Sequence, residues 1–175
     1  MTNQQLMQRD LAVLWHPCTQ MHDHEQIPLV PIAKAQGIWL EDFDGQRYID
    51  AISSWWVNIW GHAHPHINQA IKQQLDTLEH VILAGFSHEP VIELAEKLVA
   101  LAPQGLSRCF FADNGSAAVE VALKMSMHYW HNQGETQKTR FVSLQVSYHG
   151  ETLGALAVTD IPLISVTYAP LLTQH

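Results

Sequence analysis

The sequence has few charged residues, and basic residues are the scarcer sign. Asp, Glu, Lys and Arg make up 15% of the 175 residues, against roughly 25% in an average soluble domain. With 9 basic and 17 acidic residues, the formal net charge is -8 when the 12 histidines are counted as neutral. Such a chain supplies no positive patch for phosphate-rich surfaces, which argues against nucleic acid or an anionic membrane as a partner.

Cysteine is scarce as well. Only Cys18 and Cys109 occur, and their spacing matches neither a metal site nor a redox motif. No disulfide framework is indicated, so a reducing cytoplasm is the expected compartment. The N-terminus lacks the apolar stretch of a signal peptide, and no apolar run approaches the roughly 18 residues of a membrane span. We therefore expect a soluble, cytoplasmic protein.

Apolar residues, by contrast, are abundant. They form 47% of the sequence, and six tryptophans occur in this short length. Because the chain has few charged residues, we expect its surface to include apolar areas that other protein covers. The length suits one domain or a piece of something larger.

The first third of the chain predicts a hairpin between less regular segments. Residues 1–14 have an amphipathic helical pattern, whereas residues 15–36 contain three prolines and no clean period, which predicts irregular structure. Two extended runs then flank Asp44-Gly45, a pair that favours a tight hairpin turn with positive φ. A loop dense in Trp and His follows, SSWWVNIWGHAHPHI.

Two helices are predicted next. Apolar residues recur at helical spacing from Pro65 to about residue 80, and again over residues 89–101. Ser87 is the expected N-cap of the second helix, and Pro90 is tolerated in its first turn.

A strand, a helix and a second strand are predicted after these helices. The apolar run 108–112 indicates a buried strand, 116–131 a helix and 140–145 another strand, which together make a βαβ unit. Parallel strands normally lie in a sheet of several members, and only two candidates are present. We therefore expect an α/β fold of which this chain is an incomplete, N-terminal part. The alternative is a small complete α+β domain.

Gly115 and Ser116 stand where the buried strand gives way to the helix. The N-terminus of a helix carries unpaired N–H groups and a partial positive charge, and this place in α/β folds often holds a phosphate. The alternative is that Ser116 only caps the helix. The spacing matches neither a dinucleotide-binding fingerprint nor a P-loop.

The segment SYHGET, residues 147–152, forms a second turn after the next strand. Two consecutive parallel strands end at the same edge of a sheet, so this turn and residues 113–116 are predicted to converge on one ligand. Tyr148 is suited to lie against an aromatic cofactor, with a core tyrosine beside a capping turn as the alternative.

Two further groups carry weaker signals. His62, His64 and His66 alternate as some metal ligands do, but Pro65 interrupts them and no neighbouring ligand completes a set. Their role at the entry to a helix is favoured, and no metal is expected. Trp55 and Trp56 are adjacent, so their side chains point in different directions and one of them could line a pocket. The alternative is that both pack in a core or an interface.

Taken in order along the chain, these motifs resemble the class III aminotransferases, which use pyridoxal 5′-phosphate. The resemblance covers residues 12 to about 160 and includes GHAHPHI, EPVIELAEKL, FFADNGSAAVEVALKM and YHGET. WHPCTQM and SSWW narrow it to the members that act in biotin synthesis. It implies a fold-type I, aspartate aminotransferase-like transferase and amino transfer from S-adenosylmethionine to 8-amino-7-oxononanoate. Alternatives are a class III aminotransferase for a different amine, such as an ω-amino acid, and a non-catalytic truncated product.

The resemblance also implies roles for individual residues. Gly115 and Ser116 would hold the cofactor phosphate, and Tyr148 would stack on its ring and line the substrate site. Trp55 would contact the substrate. Glu151 stands near the cofactor where many members have Asp, which changes the reach of the carboxylate. Cys18 stands in the substrate site where the family usually has Tyr, and a thiol cannot replace that ring or its hydrogen bond.

The lysine that forms the Schiff base with the cofactor is not found in this sequence. The lysines here are Lys34, Lys72, Lys97, Lys124 and Lys138, and none matches that position. We expect residues 1–60 to contribute to the small domain and residues 61–175 to begin the large cofactor domain. The resemblance further implies a homodimer, and a chain that is inactive alone.

Overall fold

The computed structural model describes residues 1–172 and contains two compact units. The first comprises Met1–Ser87 and the second begins at His88. This division concerns contacts within the chain, so the predicted assignment of 1–60 and 61–175 to the domains of a larger protein stays a prediction.

The first unit is built around a three-stranded antiparallel sheet in the order β1-β2-β3. Its elements are helix α1 (Asn3–Leu11), a 3₁₀ turn (Met21–Glu25), β1 (Ile32–Gln36), β2 (Trp39–Asp42), β3 (Arg47–Ile49), the short turn α2 (Ser53–Trp56) and helix α3 (Pro65–Leu75). The predicted helix at the N-terminus is confirmed, with a capping box between Thr2 and Gln5. The prediction of irregular structure over 15–36 was wrong for β1, because pairing with β2 supplies an order that the local sequence does not signal.

The hairpin between β2 and β3 is confirmed. Glu41 pairs with Arg47, and Gly45 takes the positive φ, 86°, that the turn requires. Inside the turn the buried carboxylate of Asp42 accepts hydrogen bonds from the backbone N–H groups of Asp44 and Gln46, at 3.0 and 2.8 Å. Burial raises the pKa of Asp42, but hydrogen bonds from these groups and from Tyr48 outweigh it, so the pKa lies below its usual value.

The second unit consists of helices and extended segments. Its elements are α4 (Glu89–Leu101), α5 (Gly115–Asn132), α6 (Leu153–Ala157), α7 (Pro162–Ser165) and a 3₁₀ turn (Val166–Leu171). The predicted helices are confirmed, and Pro90 lies in the first turn of α4. The expectation for Ser87 was wrong, since His88 is the N-cap and its Nδ1 accepts the N–H of Val91 at 3.4 Å.

The two predicted parallel strands are not formed. Residues 108–112 and 140–145 are in neither a helix nor a strand, and Val142 and Leu144 are almost fully exposed. Apolar character indicates that a segment needs burial, but a strand also needs a neighbour to hydrogen-bond with. No residue among the 172 described supplies one, so the βαβ prediction was wrong for this chain as it stands.

The apolar core is small. Among residues 1–172 the buried apolar side chains are Ala155, Leu156 and Val158, whereas many large ones, such as Phe110 and Leu101, are exposed. Folded soluble proteins bury most of their large apolar side chains. The exposure therefore agrees with the expectation that further protein covers part of this surface. No helix within the described residues is sufficiently long and apolar to cross a membrane.

Replacing Gly45 with Ala should lower the stability of the hairpin by about 1 kcal/mol, because an L residue at a φ of 86° is strained. The midpoint of thermal unfolding checks this. Gln46→Ala, at the next position of the same loop, is the control and should change the midpoint little. Equal midpoints for the two variants would contradict the assignment of strain to Gly45.

Candidate functional site

The N-terminus of α5 is capped by Asn114, not by Ser116. The Asn114 side chain accepts the backbone N–H of Ala117 at 2.8 Å, and the helix begins at Gly115. The alternative in which Ser116 only caps the helix is therefore wrong. Its hydroxyl, lying within the first turn, is available for another contact.

That contact joins the two predicted turns. Ser116 Oγ accepts the backbone N–H of Glu151 at 3.1 Å. Gly150, with a φ of 122°, packs so closely on Ser116 that a Cβ there would overlap the hydroxyl. The turns at 113–116 and 147–151 thus lie against each other, although the strands expected to bring them together are not formed. Their convergence on one ligand stays a prediction.

An anion would find donors at this junction. Among residues 1–172 no acceptor receives the backbone N–H of Gly115 or Ser116. A Cβ at Gly115 would meet no protein atom within 4 Å, so the space beside this glycine is open. The hydroxyl of Ser116 accepts from Glu151 and keeps its own hydrogen to donate. The partial positive charge of the helix end adds about 0.3–1 kcal/mol for a bound anion.

Tyr148 presents its ring beside this junction. The ring is 56% exposed, so the alternative of a core tyrosine is wrong. Its hydroxyl donates to Glu151 Oε1 at 3.1 Å. The longer carboxylate of Glu151 therefore reaches the tyrosine three residues before it and holds its phenol end.

Glu120 is a residue of this site that sequence reasoning missed. It lies one turn beyond Ser116 on α5, and its Oε1 accepts the backbone N–H groups of Gly154 and Ala155, at 2.7 and 3.2 Å. Those groups begin α6, so Glu120 supplies from a distance the acceptor that a local cap normally provides. The hydroxyl of Thr152, followed by these two N–H groups, outweighs the effect of burial and holds the pKa of Glu120 below its usual value.

The buried side chains of the second unit lie directly behind the 147–151 turn. Thr159 is buried, and its hydroxyl donates to the carbonyl of Ala155 at 2.9 Å and accepts the N–H of His149 at 3.0 Å. The buried apolar residues of this unit are its neighbours in the sequence, Ala155, Leu156 and Val158. The buried hydroxyl of Thr159 thus supports the turn that carries Tyr148 and Glu151.

In the first unit, Trp55 lies on the α2 turn. The carboxylate of Asp50 accepts the backbone N–H and the hydroxyl of Ser54, at 2.9 and 2.7 Å, and Nε2 of His62 at 2.7 Å. These contacts, led by the Ser54 N–H, lower the pKa of Asp50 to about 2. Trp55 and Trp56 meet edge to face with ring centroids 6.3 Å apart, and both are largely exposed.

The other predicted residues of the first unit are arranged differently. Cys18 is exposed at a φ of 59°, beside Thr19, whose hydroxyl lies 3.1 Å from Nε2 of His24. No contact joins Cys18 to Trp55 among the described residues. Within residues 1–172 no three His, Cys, Asp or Glu side chains are grouped to hold a metal ion. His64 occupies the N-cap position of α3, although its side chain makes no capping hydrogen bond.

Three of the five lysines make contacts away from the junction. Lys34 pairs with Glu41, Lys97 pairs with Glu93, and Lys138 lies over the ring of Trp130. Lys124 is two turns along α5 from Ser116, close enough to Glu120 to interact electrostatically. In the described part of the chain no lysine contacts the junction of the two turns.

Comparisons with known proteins agree on one family. The profile of the family described as "Aminotransferase class-III" matches residues 19–173. The chain is similar to the adenosylmethionine-8-amino-7-oxononanoate aminotransferase of Helicobacter pylori, with 53% identity over 95% of this chain and 38% of that protein. The chain thus spans well under half the length of this relative.

Solved structures agree with the sequence comparison. The crystal structure of the adenosylmethionine-8-amino-7-oxononanoate aminotransferase from Methanocaldococcus jannaschii matches with a TM-score of 0.92 and 37% identity, over 98% of this chain and 39% of that one. An omega transaminase from Pseudomonas jessenii, in complex with PMP, matches with a TM-score of 0.85 and 31% identity, over 94% and 36%.

Replacing Glu120 with Gln should destabilise the junction by about 1 kcal/mol near neutral pH, since a charged acceptor for the start of α6 is lost. Because folding lowers the pKa of Glu120 from its usual 4.5, its contribution is complete above that pH. It is lost as the pH falls through the lower pKa of the folded protein. The difference in thermal midpoint between wild type and variant should therefore shrink in acid.

Glu96→Gln, on the exposed side of α4, is the control for this measurement and should follow the wild type at every pH. A difference for Glu120→Gln that stays constant from neutral pH down to about pH 3 would contradict the role of the ionised carboxylate.

Proposed function

The chain belongs to the class III aminotransferases, which have the fold of the fold-type I transferases, and we propose a function for the whole protein that contains this chain. It moves an amino group from S-adenosylmethionine to 8-amino-7-oxononanoate and so forms 7,8-diaminononanoate, a step of biotin synthesis. The cofactor is pyridoxal 5′-phosphate. The observation that carries the proposal is the junction of Ser116 with Glu151, which brings a helix end with N–H groups lacking an acceptor among residues 1–172 next to an exposed aromatic residue.

The residues at the junction fit this cofactor. The N–H groups of Gly115 and Ser116, with the Ser116 hydroxyl, would donate to the phosphate, which accepts several hydrogen bonds. The face of Tyr148 would lie on the pyridine ring, and Glu151 would hold the tyrosine in that orientation through the bond to its hydroxyl. When bound, the cofactor supplies the electron sink that lets an amino group pass between substrates.

The substrate side of the proposal rests on the relatives. The 53% identity to the Helicobacter pylori protein supports both the donor and the acceptor. Trp55 would contact the acceptor, and Cys18 would line the same site in place of a tyrosine. We assign no role in catalysis to the five lysines of this chain.

The organisation of the whole protein is also proposed. Residues 1–60 would contribute to the small domain and residues 61–175 would form the first part of the large cofactor domain. The protein would act in the cytoplasm as a homodimer. The apolar side chains exposed in this chain are suited to cover by the remaining protein or by a partner subunit.

A second candidate function is transfer to or from another ω-amine. The likeness to the Pseudomonas jessenii omega transaminase, at 31% identity and a TM-score of 0.85, favours it. This second function would use the same cofactor site as the first and a different pair of substrates.

An amino-transfer assay separates the two functions. The protein is incubated with 8-amino-7-oxononanoate as the acceptor and with one of two amino donors, S-adenosylmethionine or an ω-amine about as long as the acceptor. The product 7,8-diaminononanoate is measured by mass spectrometry. We expect product with S-adenosylmethionine. Product with the ω-amine alone would favour the second candidate, and no product with either donor would contradict the proposed reaction.

Gly115→Ala should lower the affinity for pyridoxal 5′-phosphate roughly tenfold, which corresponds to about 1.4 kcal/mol. The added methyl group would fill space that the phosphate needs, yet it meets no protein atom, so thermal stability should not fall. Titration of the apoprotein with the cofactor, followed by absorbance, measures the affinity. Ser126→Ala, further along the same helix, is the control, and equal affinities for the two variants would contradict the phosphate site.

A further inference from the structure

The α2 turn has an unusual backbone. Its residues Ser53, Ser54, Trp55 and Trp56 all have positive φ, between 46° and 68°, and none of them is glycine. L residues are disfavoured in this region because Cβ approaches the following carbonyl oxygen. Such a conformation persists only where surrounding contacts impose it.

Asp50 supplies two of those contacts, in addition to backbone hydrogen bonds of the turn such as that from the Trp56 N–H to the Ile52 carbonyl. Its Oδ1 accepts the Ser54 N–H at 2.9 Å and its Oδ2 accepts the Ser54 hydroxyl at 2.7 Å. The carboxylate is 6% exposed, so water does not compete strongly for these hydrogen bonds. A single side chain therefore holds both the backbone and the side chain of the second residue of the turn.

Asp50 is itself held by the sheet through His62. Nε2 of His62 lies 2.7 Å from Asp50 Oδ2 and, since a carboxylate only accepts, Nε2 carries the hydrogen. The backbone of His62 exchanges two hydrogen bonds with Gly37, at 2.8 and 3.0 Å, at the turn between β1 and β2. Gly61 packs against Gly37 with little space for a Cβ. The path from the sheet to the turn is thus continuous.

The turn that this path fixes carries two exposed indoles. Trp55 is 59% exposed and Trp56 is 73% exposed, so neither is held by packing in a core. An indole fixed at its backbone offers a flat apolar face, which suits the alkyl chain of a linear amino acid. We infer that Asp50, oriented by His62, is a positioning residue that fixes Trp55 for the amino-acceptor substrate. This inference rests on the proposed function.

The test is a double-mutant cycle in the protein that carries this chain. Asp50→Ala, Trp55→Ala and the double variant are compared with the wild type by kcat and KM for 8-amino-7-oxononanoate. Each single variant should raise KM roughly tenfold, because a contact displaced by about an ångström costs that much or more. The double variant should be no worse than Trp55→Ala, since Asp50 acts through that side chain.

Asp42 offers a matched control. It is also a buried carboxylate of the first unit that accepts backbone N–H groups and a hydroxyl, but it holds the β2–β3 hairpin instead of the α2 turn. Asp42→Ala should lower the thermal midpoint and leave KM for the acceptor unchanged. Its effects should be independent of those of Trp55→Ala.

A gentler variant covers the case in which Asp50→Ala does not fold. Ser54→Ala removes one hydrogen bond and leaves the Asp50–His62 pair intact, and it should raise KM about threefold. Amide hydrogen exchange supplies a readout other than activity. The Ser54 N–H should exchange faster in Asp50→Ala than in Asp42→Ala, because only the former removes its acceptor.

The outcomes separate the inference from the proposed function. A wild-type protein that does not aminate this acceptor would overturn the proposed function. An active wild type whose Asp50→Ala and Trp55→Ala effects multiply, or whose KM is unchanged in Asp50→Ala and Ser54→Ala, would overturn the positioning role alone.

Discussion

The contacts of two side chains on one face of α5 hold this helix against the 147–151 turn and the start of α6. Ser116 binds the turn at Glu151, and Glu120, one helical turn further on, binds the start of α6. With no strand formed on either side of α5, these polar contacts are what bring the two turns of the candidate site together. The small buried cluster around Leu156 and Thr159 lies behind them and supports the same turn.

Three carboxylates share this kind of role. Asp42 holds a hairpin turn, Asp50 holds the α2 turn and Glu120 holds the start of α6, each by accepting backbone N–H groups. In each case the hydrogen bonds lower the pKa, so the charged form stabilises the local structure at neutral pH. The chain has few charged residues, and these three carboxylates lie at turns and at a helix start, where they accept backbone N–H groups.

Local signals in the sequence predicted much of the fold. The hairpin at Asp44-Gly45 and the helices beginning at Pro65, Glu89 and Gly115 follow from turn chemistry and apolar spacing, which act within a few residues. The segments 108–112 and 140–145 failed as strands because a strand exists only with a partner. The two predicted turns do lie against each other, through one hydrogen bond to Ser116 and the close approach of Gly150 instead of a sheet. Their convergence on one ligand stays a prediction.

The amino-acid sequence alone identifies the candidates for the site, because Gly115, Ser116, Tyr148 and Trp55 stand in motifs that resemble one family. Only the tertiary structure showed what orients them. Glu120 contacts residues 34 and 35 positions away, and His62 contacts Asp50 across 12 positions. Such hydrogen bonds depend on how separate segments pack. No local pattern of residues encodes them, and they were therefore visible only once the chain was folded.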